Sequence, residues 1–151
     1  MVKGDTVTDQ ANVTPAPAAS GPRQGARADA VLRVVATITL IGVGVQFLLA
    51  GAGAFGEGFD LHVVFGRALG WWTLLLLVTV LVARAGRADI VIAVVLVVLA
   101  IVGQTLFAAL GREVSGWFGT LHVVNGVVIG GLAHRLREGA SRRQRLREQQ
   151  G

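Results

Sequence analysis

Four apolar runs, residues 34–55, 61–82, 90–110 and 117–133, constrain this chain more than any other feature. Each falls within the roughly 17 to 25 residues that let a helix cross the hydrocarbon core of a bilayer. Lipid offers backbone amides no hydrogen-bond partners, so the runs must fold as helices or as strands of a closed barrel. Their length and their lack of polar–apolar alternation exclude the barrel. Only the second run contains a charge, Arg67. The sequence therefore predicts an all-α fold, a transmembrane four-helix up-down bundle.

The charges outside the runs give the bundle a direction. Lys3, Arg23, Arg27 and Arg33 precede the first run and Arg84 and Arg87 join the second to the third. Arg135, Arg137, Arg142, Arg143, Arg145 and Arg147 follow the fourth, so most of the 14 basic residues share one side. The other two connections carry Glu57 and Asp60, then Arg112 and Glu113. The positive-inside rule places both termini in the cytoplasm of a protein that crosses the inner membrane four times. The net charge of +5 is then a matter of topology. Nucleic acid is not expected as a partner, because no basic face lies on a folded soluble module. The expected partner is the lipid bilayer, in keeping with 53% hydrophobic residues.

The absence of cysteine excludes disulfides, thiolate metal sites, iron–sulfur clusters and cysteine nucleophiles. No Ser/His/Asp set, phosphate loop, HExxH pattern or close carboxylate pair occurs, so no catalytic acid, base or nucleophile is identified. Residues 1–28 are rich in Pro, Ala, Gly and polar side chains and read as a disordered cytoplasmic tail. No signal-peptide pattern precedes the first run, which reads as an uncleaved anchor. Residues 31–134 form the four-helix transmembrane domain. Residues 135–151 form a basic cytoplasmic tail that anchors the topology and can lie as a short helix on anionic lipid.

The phrase LHVVFGRALG, residues 61–70, returns as LHVVNGVVIG, residues 121–130. QFLLAGAG from Gln46 precedes the first and QTLFAALG from Gln104 the second, so each half reads as a glutamine helix, an outer loop and a histidine helix. The pattern predicts a duplicated helical hairpin whose halves share one topology, which puts His62 and His122 at equal depth. In an up-down bundle the second and fourth helices are diagonal, so equivalent residues on them face each other across the core. Gly66 and Gly70 follow His62, and Gly126 and Gly130 follow His122, at helical intervals of four.

Two readings of this phrase stand side by side. The glycine stripes can let helices dock closely, each histidine closing the interface with a hydrogen bond. Alternatively, the stripes clear a slot for a flat macrocycle, and the two level imidazoles supply both axial ligands of a haem b iron. Zinc would need more protein ligands than these two histidines offer; copper and a quinone remain compatible with them. Arg67 lies off the histidine stripe and is a candidate for a haem propionate, a lipid phosphate or a partner subunit's carboxylate. Asn125, Gln46 and Gln104 are candidates to line the slot or to hydrogen-bond between helices, the latter suiting the glutamines better. Trp117 reads as an interfacial anchor, Trp71 and Trp72 as packing or lipid-facing bulk, and His134 as a solvated surface residue.

The stretches VQFLLAGAGAFG, LHVVFGRALG and LHVVNGVVIG resemble a family of small bacterial four-span membrane proteins of unknown function, over about residues 31–134. A more distant likeness is to one four-helix half of haem A synthase, which has a histidine near the outer start of its second and fourth helices. That resemblance implies His62 and His122 as haem ligands. The enzyme also has a glutamate three residues before the second-helix histidine, where this chain has Phe59. Its oxidation chemistry therefore does not carry over. The expected function is a bis-histidine haem bundle in electron transfer or haem handling, working with a quinone or a membrane redox partner. The alternative is a cofactor-free accessory subunit that docks a partner.

Overall fold

The computed structural model describes residues 22–150, and every regular element in that stretch is helical. Helix α1, Pro22–Ala52, ends in a π-helical turn, Gly53–Glu57. Helix α2 is Asp60–Val82. Helix α3, Arg87–Val98, runs through a second π turn, Leu99–Gly103, into α4, Gln104–Glu113. Helix α5 is Gly116–Gln150. Four stretches, Gly25–Glu57, Asp60–Val82, Arg87–Glu113 and Gly116–Gln149, are long and apolar enough to cross a membrane. Helix α1 packs on α2 and α5, and the α3–α4 span packs on the same two. This ring leaves α2 and α5 diagonally opposite, the up-down bundle that the four runs predict.

One stripe on each helix makes the core, repeating at alternate intervals of three and four residues. On α1 it runs Asp29, Leu32, Ala36, Thr39, Val43, Gln46, and on α2 His62, Gly66, Leu69, Thr73, Leu76, Val80, Ala83. Along α3 and the π turn that follows it runs Asp89, Ala93, Leu96, Ala100, Gly103. On α5 it runs His122, Gly126, Ile129, Ala133, Leu136, Ala140, Arg143, Arg147. Such a repeat keeps one face toward a neighbour that crosses at a shallow angle, the geometry of coiled coils and most four-helix bundles. The fully buried apolar side chains, among them Leu32, Leu76, Val80, Leu96 and Leu136, lie in the half of the bundle that carries the termini. The outward-facing Val, Leu and Ile side chains are exposed, as suits contact with acyl chains.

The same stripes carry α1 and α5 past the apolar runs. Residues 22–28, where composition suggests a tail, are the first turns of α1, opened by Pro22 at a position where its missing N–H costs nothing. Residues 135–150, also expected as a tail, continue α5. The two extensions are held by buried charges. The fully buried Asp29 carboxylate accepts from Arg143 Nε at 2.9 Å and from Arg147 Nη1. Arg143 Nη1 also donates to Asp89 at the start of α3, at 2.5 Å. Three helices are thus tied at one point by groups that lie far apart in sequence. Residues 1–21 of the expected tail, and Gly151, lie outside the described residues.

The reversal between α1 and α2 needs glycine at Gly56 (φ 109°) and Gly58 (φ 76°), both in conformations that a side chain opposes. Between α2 and α3 the turn is closed by Ala85 N–H donating to the Val80 carbonyl at 3.2 Å, with Arg84 left-handed (φ 49°).

Candidate functional site

At the end of the bundle away from the termini, the core stripe changes from apolar to polar. His62 begins the stripe on α2 and His122 the stripe on α5, and their imidazoles meet across the centre with ring centroids 6.0 Å apart and planes at 64°. Two helices that are not neighbours in the ring therefore touch here through their histidines. The edge of Phe59, just before α2, packs on His62 with centroids 6.1 Å apart.

Each ring is oriented by main chain on the adjacent helix. His62 Nδ1 lies 3.2 Å from the Gln46 carbonyl on α1, and His122 Nδ1 lies 3.0 Å from the Gln104 carbonyl on α4. A carbonyl oxygen only accepts, so Nδ1 donates in both bonds and, in the neutral ring, Nε2 keeps its lone pair free. This is the arrangement by which a metal-ligating histidine is usually held: one nitrogen donates to an outer partner and the other is presented.

The glutamine side chains have a different task from their carbonyls. The Gln46 amide lies over Gly66, where a Cβ would collide with its nitrogen, and its Oε1 is buried with no partner among the described residues. Gln104 Nε2 donates to the His122 carbonyl at 3.4 Å and faces Gly126. Asn125, next on α5, is buried and donates from Nδ2 to the Leu99 carbonyl at 3.0 Å. Its amide fills the bare face of Gly103. The π turn at Leu99–Gly103 places an extra residue in the third span where Asn125 docks.

The glycine stripes make room for neighbouring helices. A Cβ on Gly126 would meet the Phe47 ring at 3.3 Å and Gln104 at 3.4 Å. One on Gly130 would meet Val43 at 3.5 Å, and one on Gly70 would meet the Ala100 carbonyl at 3.5 Å. A flat macrocycle lying along these faces requires Gln46, Phe47 and Gln104 to turn aside. Among the described residues no three or more His, Asp or Glu gather as a metal cage.

Of the remaining sequence candidates, Arg67 stands exposed on the lipid side of α2, five residues past His62 and apart from the histidine pair. Among the described residues it makes no ion pair. Trp71 and Trp117 are exposed, and Trp72 is half-buried with its Nε1 unpartnered. Sequence reasoning missed Phe47, which covers Gly126, and the Asp29–Arg143–Asp89 tie. A signal for the tie was present: Arg143 and Arg147 continue the spacing of Ala133, Leu136 and Ala140.

Residues 46–110 match a family described as one of unknown function (DUF6220). The matched stretch holds Gln46, His62, Gly66, Gly70 and Gln104 and stops before His122. With its four apolar helices, the chain is similar to a small four-span family. No curated protein and no solved structure matches the chain, so the likeness to haem A synthase gains no support.

Proposed function

We propose that the chain is an inner-membrane four-helix bundle with cytoplasmic termini, in which His62 and His122 would hold the iron of one haem b. One observation carries this reading: both rings spend Nδ1 on a backbone carbonyl and keep Nε2 free, with centroids 6.0 Å apart. His62 and His122 would hold the haem iron through these Nε2 atoms. The Gln46 and Gln104 carbonyls hold the proton on Nδ1 and fix each ring's direction, and Phe59 packs against His62. When bound, the haem would supply one-electron transfer. A single haem near one face reaches only one side of the bilayer, so a quinone or a membrane redox partner would take up or deliver the electron.

A second reading, a cofactor-free accessory subunit, is favoured by the glycine faces, which Gln46, Phe47, Gln104 and Val43 cover. The histidine–carbonyl bonds then serve as interhelical ties, and Arg67 meets a partner's carboxylate within the membrane.

The visible spectrum of the detergent-purified protein, from cells supplied with a haem precursor, separates the two. The haem reading expects a Soret band that His62→Ala and His122→Ala each abolish or shift. A folded, colourless wild type would rule it out in favour of the accessory subunit.

A further inference from the structure

The opposite end of the bundle has a groove that the histidine site does not involve. It runs between α1 and α5 and measures about 480 Å³. Three guanidiniums, Arg33 of α1 and Arg137 and Arg145 of α5, line it together with one carboxylate, Glu138. Its apolar wall is Val34 and Ile38, both turned outward, with exposures of 54% and 44%. We infer that this groove holds the phosphate headgroup of an anionic phospholipid, with the acyl chains lying along Val34 and Ile38.

Three independent features support this. The first is depth. Arg33 immediately precedes the first apolar run, and Arg137 lies four residues, about 6 Å of helical rise, beyond the end of the fourth. Those two lie within the thickness of the headgroup layer on one side of a bilayer, and Arg145, about two turns further along α5, lines the groove from the end farther from the membrane. The second is convergence. Side chains on a helix lean toward its N-terminus, and α1 and α5 run in opposite directions. Arg145 therefore leans back toward the membrane while Arg33 leans away from it, and these two approach each other over the groove that Arg137 also lines.

The third is the state of the donors. Thr37 and Ser141, also in the groove, spend their hydroxyl protons on the carbonyls of Arg33 and Arg137, at 2.8 and 3.0 Å. The free donors facing the groove are thus the guanidiniums, whose planar fork matches a phosphate. Among the described residues Arg137 is paired only with its neighbour Glu138, at 3.6 Å and exposed, a weak pair that a phosphate can displace. Arg143 and Arg147 are engaged by Asp29 and Asp89 and take no part.

The test is native mass spectrometry of the full chain in detergent, comparing retention of phosphatidylglycerol with that of phosphatidylcholine of the same acyl chains. Wild type is expected to prefer phosphatidylglycerol, and each of Arg33→Gln, Arg137→Gln and Arg145→Gln to lower that preference about five-fold. Glu138→Gln is expected to raise it, a gain that misfolding cannot produce. Arg142→Gln, exposed outside the groove, should leave it unchanged. Equal retention of the two lipids by wild type, or an undiminished preference in the triple arginine variant, would overturn the proposal. Displacement of phosphatidylglycerol by an equimolar concentration of inorganic phosphate would do the same, assigning the groove to free phosphate.

Discussion

A backbone carbonyl sets the chemistry of each histidine. The acceptors for His62 and His122 are main-chain oxygens of Gln46 and Gln104, so the bonds survive any substitution that leaves the helices in place. In protein free of any ligand, ¹⁵N spectra of labelled histidine should therefore show both rings protonated at Nδ1 when neutral, and Gln46→Ala should leave the His62 pattern unchanged. An Nε2–H tautomer at either ring would contradict the arrangement. Much of this was legible beforehand, because histidine and glutamine recur in step along the chain. That the glutamine's carbonyl holds the ring, while its side chain covers Gly66, was not: every residue carries a carbonyl, and only a neighbouring helix selects one.

Glycine behaves in the same way from helix to helix. In sequence, the bare positions after each histidine read equally well as a slot or as a docking face. The placement of α1 and the α3–α4 span sets Gln46, Phe47, Val43 and Ala100 against them. The nature of the covering atom sets what a substitution costs. A Cβ at Gly66 meets the end of the flexible Gln46 side chain, whereas one at Gly111 would lie 2.8 Å from the backbone nitrogen of Gly119, where α4 and α5 touch main chain to main chain. Gly111→Leu should accordingly destabilise the bundle by about 1–3 kcal/mol, and Gly66→Ala by well under that. Thermal unfolding in detergent measures both, and an equal loss at the two positions would refute the distinction.

The two ends of the bundle share one core and differ in what closes it. Half-buried imidazoles close one end, and a carboxylate–guanidinium cluster closes the other, where Asp29 is fully buried between Arg143 and Arg147. Removing one partner from a buried set leaves the other charges uncompensated, and such losses run to about 3–5 kcal/mol. Arg143 and Arg147 are 24% and 32% exposed, and water reaching them places Asp29→Asn near the lower figure, about 3 kcal/mol. Unfolding curves of Asp29→Asn in detergent check this. A loss within experimental error would mean that the extensions of α1 and α5 are held by Leu32, Leu136 and Ala140 alone.

The chain's own residue order determined that there are four helices, that each is long and apolar enough to cross lipid, and which stripe of the two histidine helices faces inward. These follow from local causes: lipid solvates no free amide, and a repeat of three and four residues presents one face. Tertiary packing alone decided which groups the stripes bring together: His62 with His122, Asp29 with Arg143, and Gly66 with Gln46. It also decided that α1 and α5 continue as helices beyond the apolar runs, because hydropathy registers transfer into lipid. It does not register a buried ion pair between residues more than a hundred positions apart.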